Sequence, residues 1–345
     1  MLTDNLRKGS LALTRGVAAV SLLCMLGWST TARADYPERP VRLVVPFAPG
    51  TSVDSVARRL ADAVAASWGQ PVVVENMPGA AGNIAVGRVA QAAPDGYTLA
   101  FSGDAALVVN VSLFEKLGYH PLRDLVPISQ LVITPNILVI SNDVPARSVA
   151  ELVALSRDEP GGLHIASAGY GTSQHLAIEM FKRSSGVELM HFPYKDNYLP
   201  DLVNGSHVKA AFANVVAALP LVRAGKLRAL AVSAERRLPV APELPTMAEA
   251  GVAGVVASAW YGLVAPAGTP PDVVKRIHAA FTQALAQPDL RQQLIASGVD
   301  IVGSSSEDFA ALLRAEIPRM AKVIEAAGLS KIDWDAMYRL RGTRP

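Results

Sequence analysis

The sequence predicts an α/β protein with largely parallel sheets. Three observations carry this. Short apolar strands alternate with helix-length segments along almost the whole chain, the strands end in Pro- and Gly-rich turns, and the helices open on Ser, Thr or Pro. The first unit pairs the strand 41-VRLVVPF-47 with a helix over Ser52–Trp68. The strand 71-PVVVEN-76 leads to a helix over Asn83–Ala92, which 94-PDG-96 ends before the strand 97-YTLAFS-102. The rhythm resumes with 136-NILVIS-141, helix Ser148–Ser156, strand 163-LHIASA-168 and helix Ser173–Ser185. It continues through strand 207-HVKAAFA-213, helix 216-VAALPLVRAG-225, strand 227-LRALAVSA-234 and strand 258-SAWYGLVAP-266. Helices over Pro271–Ala286, Pro288–Ser297 and Ser306–Ala326 close the chain. Pro271 suits a first helical turn, Asp272 complements its positive end, and 305-SSEDF-309 reads as a cap.

The rhythm pauses at 121-PLRDLVP-127 and at 239-PVAPELPTMAEAG-251. Two lobes are therefore expected: residues 35–130 plus 265–330, and residues 131–264, with a tail over 331–345. Strands at about 131–140 and 256–264 would cross between the lobes as a hinge, leaving a cleft.

The first 34 residues are expected to be a cleaved export signal. Arg7, Lys8 and Arg15 precede the apolar run 16-GVAAVSLLCMLGW-28, and Ala32-Arg33-Ala34 fits a small-x-small cleavage site near Ala34. The run falls short of the roughly 20 residues that span a bilayer. That segment carries a net +3, so the remainder of this +2 chain carries −1. A near-neutral surface gives nucleic acid no electrostatic footing. Cys24 is the one cysteine and lies inside the segment. A mature chain without cysteine excludes disulfides and thiol catalysis, and export points to the periplasm.

Catalytic motifs are lacking. The sequence has no G-x-S-x-G elbow and no Walker loop, and its six histidines form no H-x-x-x-H pair, so neither metal nor cofactor is expected. Ser173 with His175 is the remaining hydrolase alternative, although residues i and i+2 of a helix start face different ways. Binding motifs are stronger. 50-GTS-52 and 171-GTS-173 each stand between a strand and a helix, one in each expected lobe. A helix N-terminus offers unpaired N–H groups and partial positive charge, Gly permits close approach, and Thr and Ser add hydroxyls. Facing one another across a cleft, the two turns suit a carboxylate. Asp54 reads as a first-turn acid serving its own helix.

The segments 36-YPERPVRLVVPFAPGTSVD-54, 71-PVVVENMPGAAGN-83, 94-PDGYTL-99, 167-SAGYGTSQHLAIEMF-181, 224-AGKLRALAVSAERR-237, 245-PTMAEAG-251 and 260-WYGLVAPAGTP-270 resemble the Bug family. These are periplasmic receptors of tripartite tricarboxylate transporters. The resemblance implies a type II periplasmic-binding-protein fold and a monomeric receptor. It implies a small carboxylated ligand, such as a di- or tricarboxylate, an acidic amino acid or an aromatic acid. It also implies delivery to a permease of one large and one small membrane subunit, with a sensor kinase as the alternative partner. It places Phe47, Ala48, Gly50, Thr51, Ser52 and Val53 at the ligand. Ala168, Tyr170, Gly171, Thr172, Ser173 and His175 form a second loop there, joined by Ser102, Gly103 and Asp104 and by Tyr194, Lys195 and Asn214. The chain departs from the family pattern at Thr51, Val53, Asp104 and Ala213, and at 196-DNYLP-200, where Tyr198 is the candidate for reshaping the ligand site.

Overall fold

The computed structural model describes residues 36–159, 161–326 and 331–332. The expected export signal over 1–34 and most of the expected tail lie outside the described residues. Among the described residues ten strands are present: β1 Val41–Val45, β2 Val72–Asn76, β3 Thr98–Gly103, β4 Leu125–Ser141, β5 Leu163–Ser167, β6 Leu189–Pro193, β7 Ala210–Asn214, β8 Leu227–Val232, β9 Ser258–Pro266 and β10 Asp300–Ile301. They form one sheet in the order β2-β1-β3-β9-β4-β7-β5-β6, with β8 and β10 also paired to β4.

The flanks of this sheet are parallel, as expected: β1 pairs with β2 and β3, and β5 with β6 and β7. Its centre is antiparallel, because β9 runs against β3 and β4, and β4 against β7 and β8. The sheet is thus mixed, not largely parallel. An apolar run fixes burial and does not record strand direction.

β4 is 17 residues long. Its first part, from Leu125 to Pro135, pairs with β9, and its last part, from Asn136, pairs with β7 and β8. Both halves of the fold thus share this strand, which the sequence reading had divided between a turn-rich pause at 121–127 and a later strand. In its last part the side chains alternate. Ile137 and Val139 join one core and Leu138 and Ile140 the other, as the period of two requires.

Among the described residues, three buried clusters hold the sheet. Phe309, Leu313, Leu107 and Leu113 belong to the cluster under the first half. Phe181 and Phe212 fill one face of the second half, and Leu202 and Leu219 the other. Leu176, from the helix Ser173–Ser185, packs into the first cluster, while Ala177, Ile178 and Phe181 of the same helix pack into the second.

Some elements escaped the sequence reading. β6 carries His191 and Pro193, which weaken a strand signal. The helix Leu199–Asn204 lies within a segment to which the sequence reading gave no element, although Pro200 in its first turn and Gly205 just past its end are ordinary helix bounds. A single π-helical turn, Ala105–Val109, follows β3.

Candidate functional site

The two Gly-Thr-Ser turns adopt one geometry. Gly50 and Gly171 both have φ 79°, the left-handed region that only glycine enters without strain. Thr51 (φ −74°, ψ 165°) and Thr172 (φ −72°, ψ 157°) then stand at the N-caps of the helices Ser52–Trp68 and Ser173–Ser185. Each threonine hydroxyl donates to the carbonyl three residues back, Thr51 to Ala48 at 2.8 Å and Thr172 to Gly169 at 2.7 Å. Each glycine N–H donates to the side chain four residues on, Gly50 to Asp54 Oδ2 at 2.9 Å and Gly171 to His175 Nδ1 at 3.2 Å. Each serine reaches the antiparallel centre of the sheet. Ser52 shares a hydrogen bond with Tyr261 of β9, and Ser173 Oγ accepts from Asn136 Nδ2 of β4 at 3.0 Å.

What backs the turns differs. Asp54 is buried beside Arg58, whose guanidinium lies 3.0 Å away, and accepts from Asn76 Nδ2 at 2.8 Å. Burial acts to raise its carboxyl, but the bonds from Arg58, Gly50 N–H and Asn76 prevail and hold it below the ordinary range. His175 is buried and stacks on His191, ring centres 4.7 Å apart. Burial, helped by the Lys182 charge, lowers His175 to about 4. Burial, His175 and Lys182 lower His191 to about 3. The first turn is thus backed by a carboxylate and the second by neutral imidazoles. Thr172 Oγ1 also accepts the His175 N–H at 3.3 Å, whereas no side chain caps the helix at Thr51.

Both turns open on a cleft of about 690 Å³, counting its mouth. A third wall comes from the end of β3. A Cβ on Gly103 would lie 2.3 Å from the Trp260 carbonyl, so only glycine lets β3 approach β9 this closely and deliver Asp104 to the cleft. Burial pushes the Asp104 carboxyl up to about 7; nearby amides of Trp260, Asp104 and Ala105 act against that, and Glu316 adds to it. Beside it Ser102 Oγ is buried without a hydrogen-bond partner, as is Asn214 Oδ1, whose amide nitrogen donates to Thr134 Oγ1 at 2.8 Å.

Residues 56–329 match the family described as "Tripartite tricarboxylate transporter family receptor". The chain belongs to that family. A UPF0065 protein from the tcbD-tcbE intergenic region of Pseudomonas sp. (strain P51) is 38% identical, over 90% of this chain and 93% of that one. The structure of the periplasmic binding protein BugD superposes with a TM-score of 0.82 at 34% identity, covering 86% of this chain and all of BugD. R. palustris Rpa4515 with adipate gives 0.83 at 35% identity, again over 86% of this chain and all of the other. The resemblance to Bug receptors and the two-lobed binding-protein fold are thus borne out, and the family is one of receptors, not enzymes. The side chains agree. Ser173 Oγ accepts from Asn136 and His175 Nδ1 accepts from Gly171, so serine and histidine form no nucleophile–base pair. Among the described residues no three His, Cys, Asp or Glu side chains converge to hold a metal.

The receptor's cleft brings together Phe47, Thr51, Ser52 and Val53 from the first turn and Ala168, Thr172 and Ser173 from the second. Ser102, Gly103, Asp104, Tyr198 and Asn214 join them. Tyr198 is buried in the wall, its hydroxyl 3.4 Å from the Phe212 carbonyl.

Seven expected residues do not line the cleft, each for a local reason. Ala48 spends its carbonyl on Thr51, and Gly50 serves the turn's backbone. Gly171 packs against Asn110 of the other half; a Cβ there would sit 2.3 Å from Asn110 Oδ1. Tyr170 packs edge-on against His175 and His191, and His175 is inside that stack. Tyr194 donates to Asp201 at 2.8 Å, and Lys195 is exposed. Gln174, Ala81, Asp196 and Tyr261 line the cleft without having been expected. Gln174 directly follows the second turn and was legible from that position. Ala81 has φ 50°, a strained conformation that the sequence does not announce.

Proposed function

We propose that the chain is a periplasmic receptor that holds a small carboxylate between the N-termini of the helices Ser52–Trp68 and Ser173–Ser185 and delivers it to a permease of one large and one small membrane subunit. One observation carries the reading: two turns of the same geometry, one from each half of the fold, open on the same cleft. First-turn amides and hydroxyls bind an anion without a basic side chain, and hydrogen bonds to a charged group contribute about 1.5–3 kcal/mol each. The family's transporter description supports the permease partner, and the N-terminal sequence pattern supports export. Crossing strands β4 and β9 are the hinge in this reading, with the boundaries between lobes near residues 131–140 and 256–264.

The test uses the near-isosteric substitution Gln174→Glu. Its side chain keeps the bond that Gln174 Oε1 accepts from Ala168 N–H at 2.7 Å, and an acid in a first turn favours the helix. We expect an unchanged or higher melting temperature together with loss of the thermal shift that organic acids give the wild-type chain. Full retention of that shift would remove the anion from this helix end.

A further inference from the structure

The strands behind the two turns fix which way their serine hydroxyls point. Each threonine hydroxyl donates backwards, to the Ala48 or Gly169 carbonyl, so its hydrogen is already spent. Ser52 and Ser173 are different. Both line the cleft, and each is bonded to a side chain of the crossing strands. The direction of those bonds decides what the serines can offer.

At the second turn Asn136 of β4 sets the direction. Its amide nitrogen lies 3.0 Å from the Ala257 carbonyl, which can only accept, and 3.0 Å from Ser173 Oγ. Ser173 therefore accepts, leaving its one hydrogen for a group in the cleft.

Asn214 stands opposite Asn136 in the register of β4 and β7 and acts likewise at longer range. Its amide nitrogen faces two oxygens of Thr134, the carbonyl at 3.4 Å and Oγ1 at 2.8 Å. Thr134 Oγ1 therefore accepts. Its own hydrogen has two possible acceptors. The Ala259 carbonyl, at 3.4 Å, is farther than an O–H···O bond prefers, and the other is the Tyr261 hydroxyl, with which Thr134 shares a bond. Burial raises the Tyr261 phenol above its ordinary range, so it keeps its proton, and its remaining partner is Ser52. An amide nitrogen at the far end only donates, so the chain runs from Asn214 through Thr134 and Tyr261 to Ser52. Ser52 too is left with a hydrogen for the cleft.

We infer that Asn136 directly, and Asn214 through Thr134 and Tyr261, commit Ser173 and Ser52 as hydrogen-bond donors toward the cleft, so that it selects a ligand group that only accepts. The inference rests on the carboxylate reading above and names what makes the site prefer an ionised carboxylate to the matching amide. Tyr261 is a positioning residue in this scheme and acts through Ser52.

Calorimetric titration of the full chain at pH 8 tests it, with adipate and hexanoate as probes and hexanamide read by displacement of hexanoate. Ser52→Ala should weaken hexanoate about tenfold and Tyr261→Phe several-fold, while the double variant should lose no more than Ser52→Ala alone. Tyr261→Phe should also lower the preference for hexanoate over hexanamide about fivefold, because a Ser52 hydroxyl released from the chain can accept as well as donate. The variant keeps its ring against Phe101, 5.7 Å between centres, and its unliganded melt checks the fold. Asn136→Ala and Ser173→Ala form the matching cycle at the second turn, so each turn is tested apart from the other. Losses that multiply in both double variants, or an equal loss for acid and amide, would overturn the inference and leave the carboxylate receptor standing. If the wild-type chain binds neither adipate nor hexanoate, both readings fall together.

Discussion

The turns Gly50–Ser52 and Gly171–Ser173 differ little in backbone and a great deal in support. The first stands in open space: nothing lies within 4 Å of where a Cβ on Gly50 would go, and its helix is uncapped by any side chain. The second is wedged against Asn110, capped by Thr172 and seated on a stacked imidazole pair. The same motif thus yields one helix end without a side-chain cap and one braced end that meets the opposite half of the fold. A short motif fixes how the chain turns. The residues behind it fix charge and rigidity.

Matched glycine substitutions should separate the two turns most. Gly50→Ala meets only the left-handed strain, about 1–2 kcal/mol. Gly171→Ala adds a collision with Asn110 Oδ1, and overpacking costs about 1–3 kcal/mol more. Urea denaturation should therefore show Gly171→Ala as the more damaging by about 2 kcal/mol, and equal losses would dissolve the distinction.

Acid should also part them. His175 and His191 have folded pKa values of about 4 and about 3, below the ordinary 6.5, so the unfolded chain binds more protons between those values and 6.5. Stability contributed by the second turn is then lost as pH falls from 6.5 toward 4. Asp54 is held below 3.8, so its contribution persists until pH falls below that value. Amide exchange, corrected for its intrinsic pH dependence, should accelerate at 171–175 by pH 5 while 50–54 stays protected. Asp104, raised to about 7, works in the opposite direction over the same window, because the folded chain binds its proton first. Asp104→Asn should therefore make the fall of melting temperature between pH 7 and pH 5 steeper than in wild type. A shallower fall would contradict this assignment.

The threonines give the smallest contrast. Thr172→Val loses a helix cap as well as the bond to Gly169, for which about 1 kcal/mol is typical, whereas Thr51→Val loses only the bond to Ala48. Thermal melts should rank Thr172→Val as the less stable by a few degrees.

Much of this was legible in the sequence for identifiable reasons. Strand–helix alternation is written in apolar period, and the helix Ser52–Trp68 was placed to the residue because Thr51 and Gly69 bound it. The two turns could be read because Gly, Thr and Ser are themselves the chemistry. Antiparallel β9 and the length of β4 were hidden, since pairing partners lie far apart in the chain. The direction of His175 was hidden for a related reason: it follows the second turn directly, but its ring turns inward to Gly171 N–H and His191, and side-chain direction is decided by packing. Tyr261 went unnoticed as a cleft residue because the sequence places it only in a crossing strand, while its hydroxyl meets Ser52, more than two hundred residues earlier.

Leu176 adds a mechanical consequence. One helix has a foot in each core: Leu176 under the first half and Ile178 and Phe181 in the second. Pulling the halves apart would draw that side chain into water at a cost of about 1.5–3 kcal/mol. The helix that carries the second turn thus also pins the two halves together. Any motion that separates the halves must first lift one leucine from its socket.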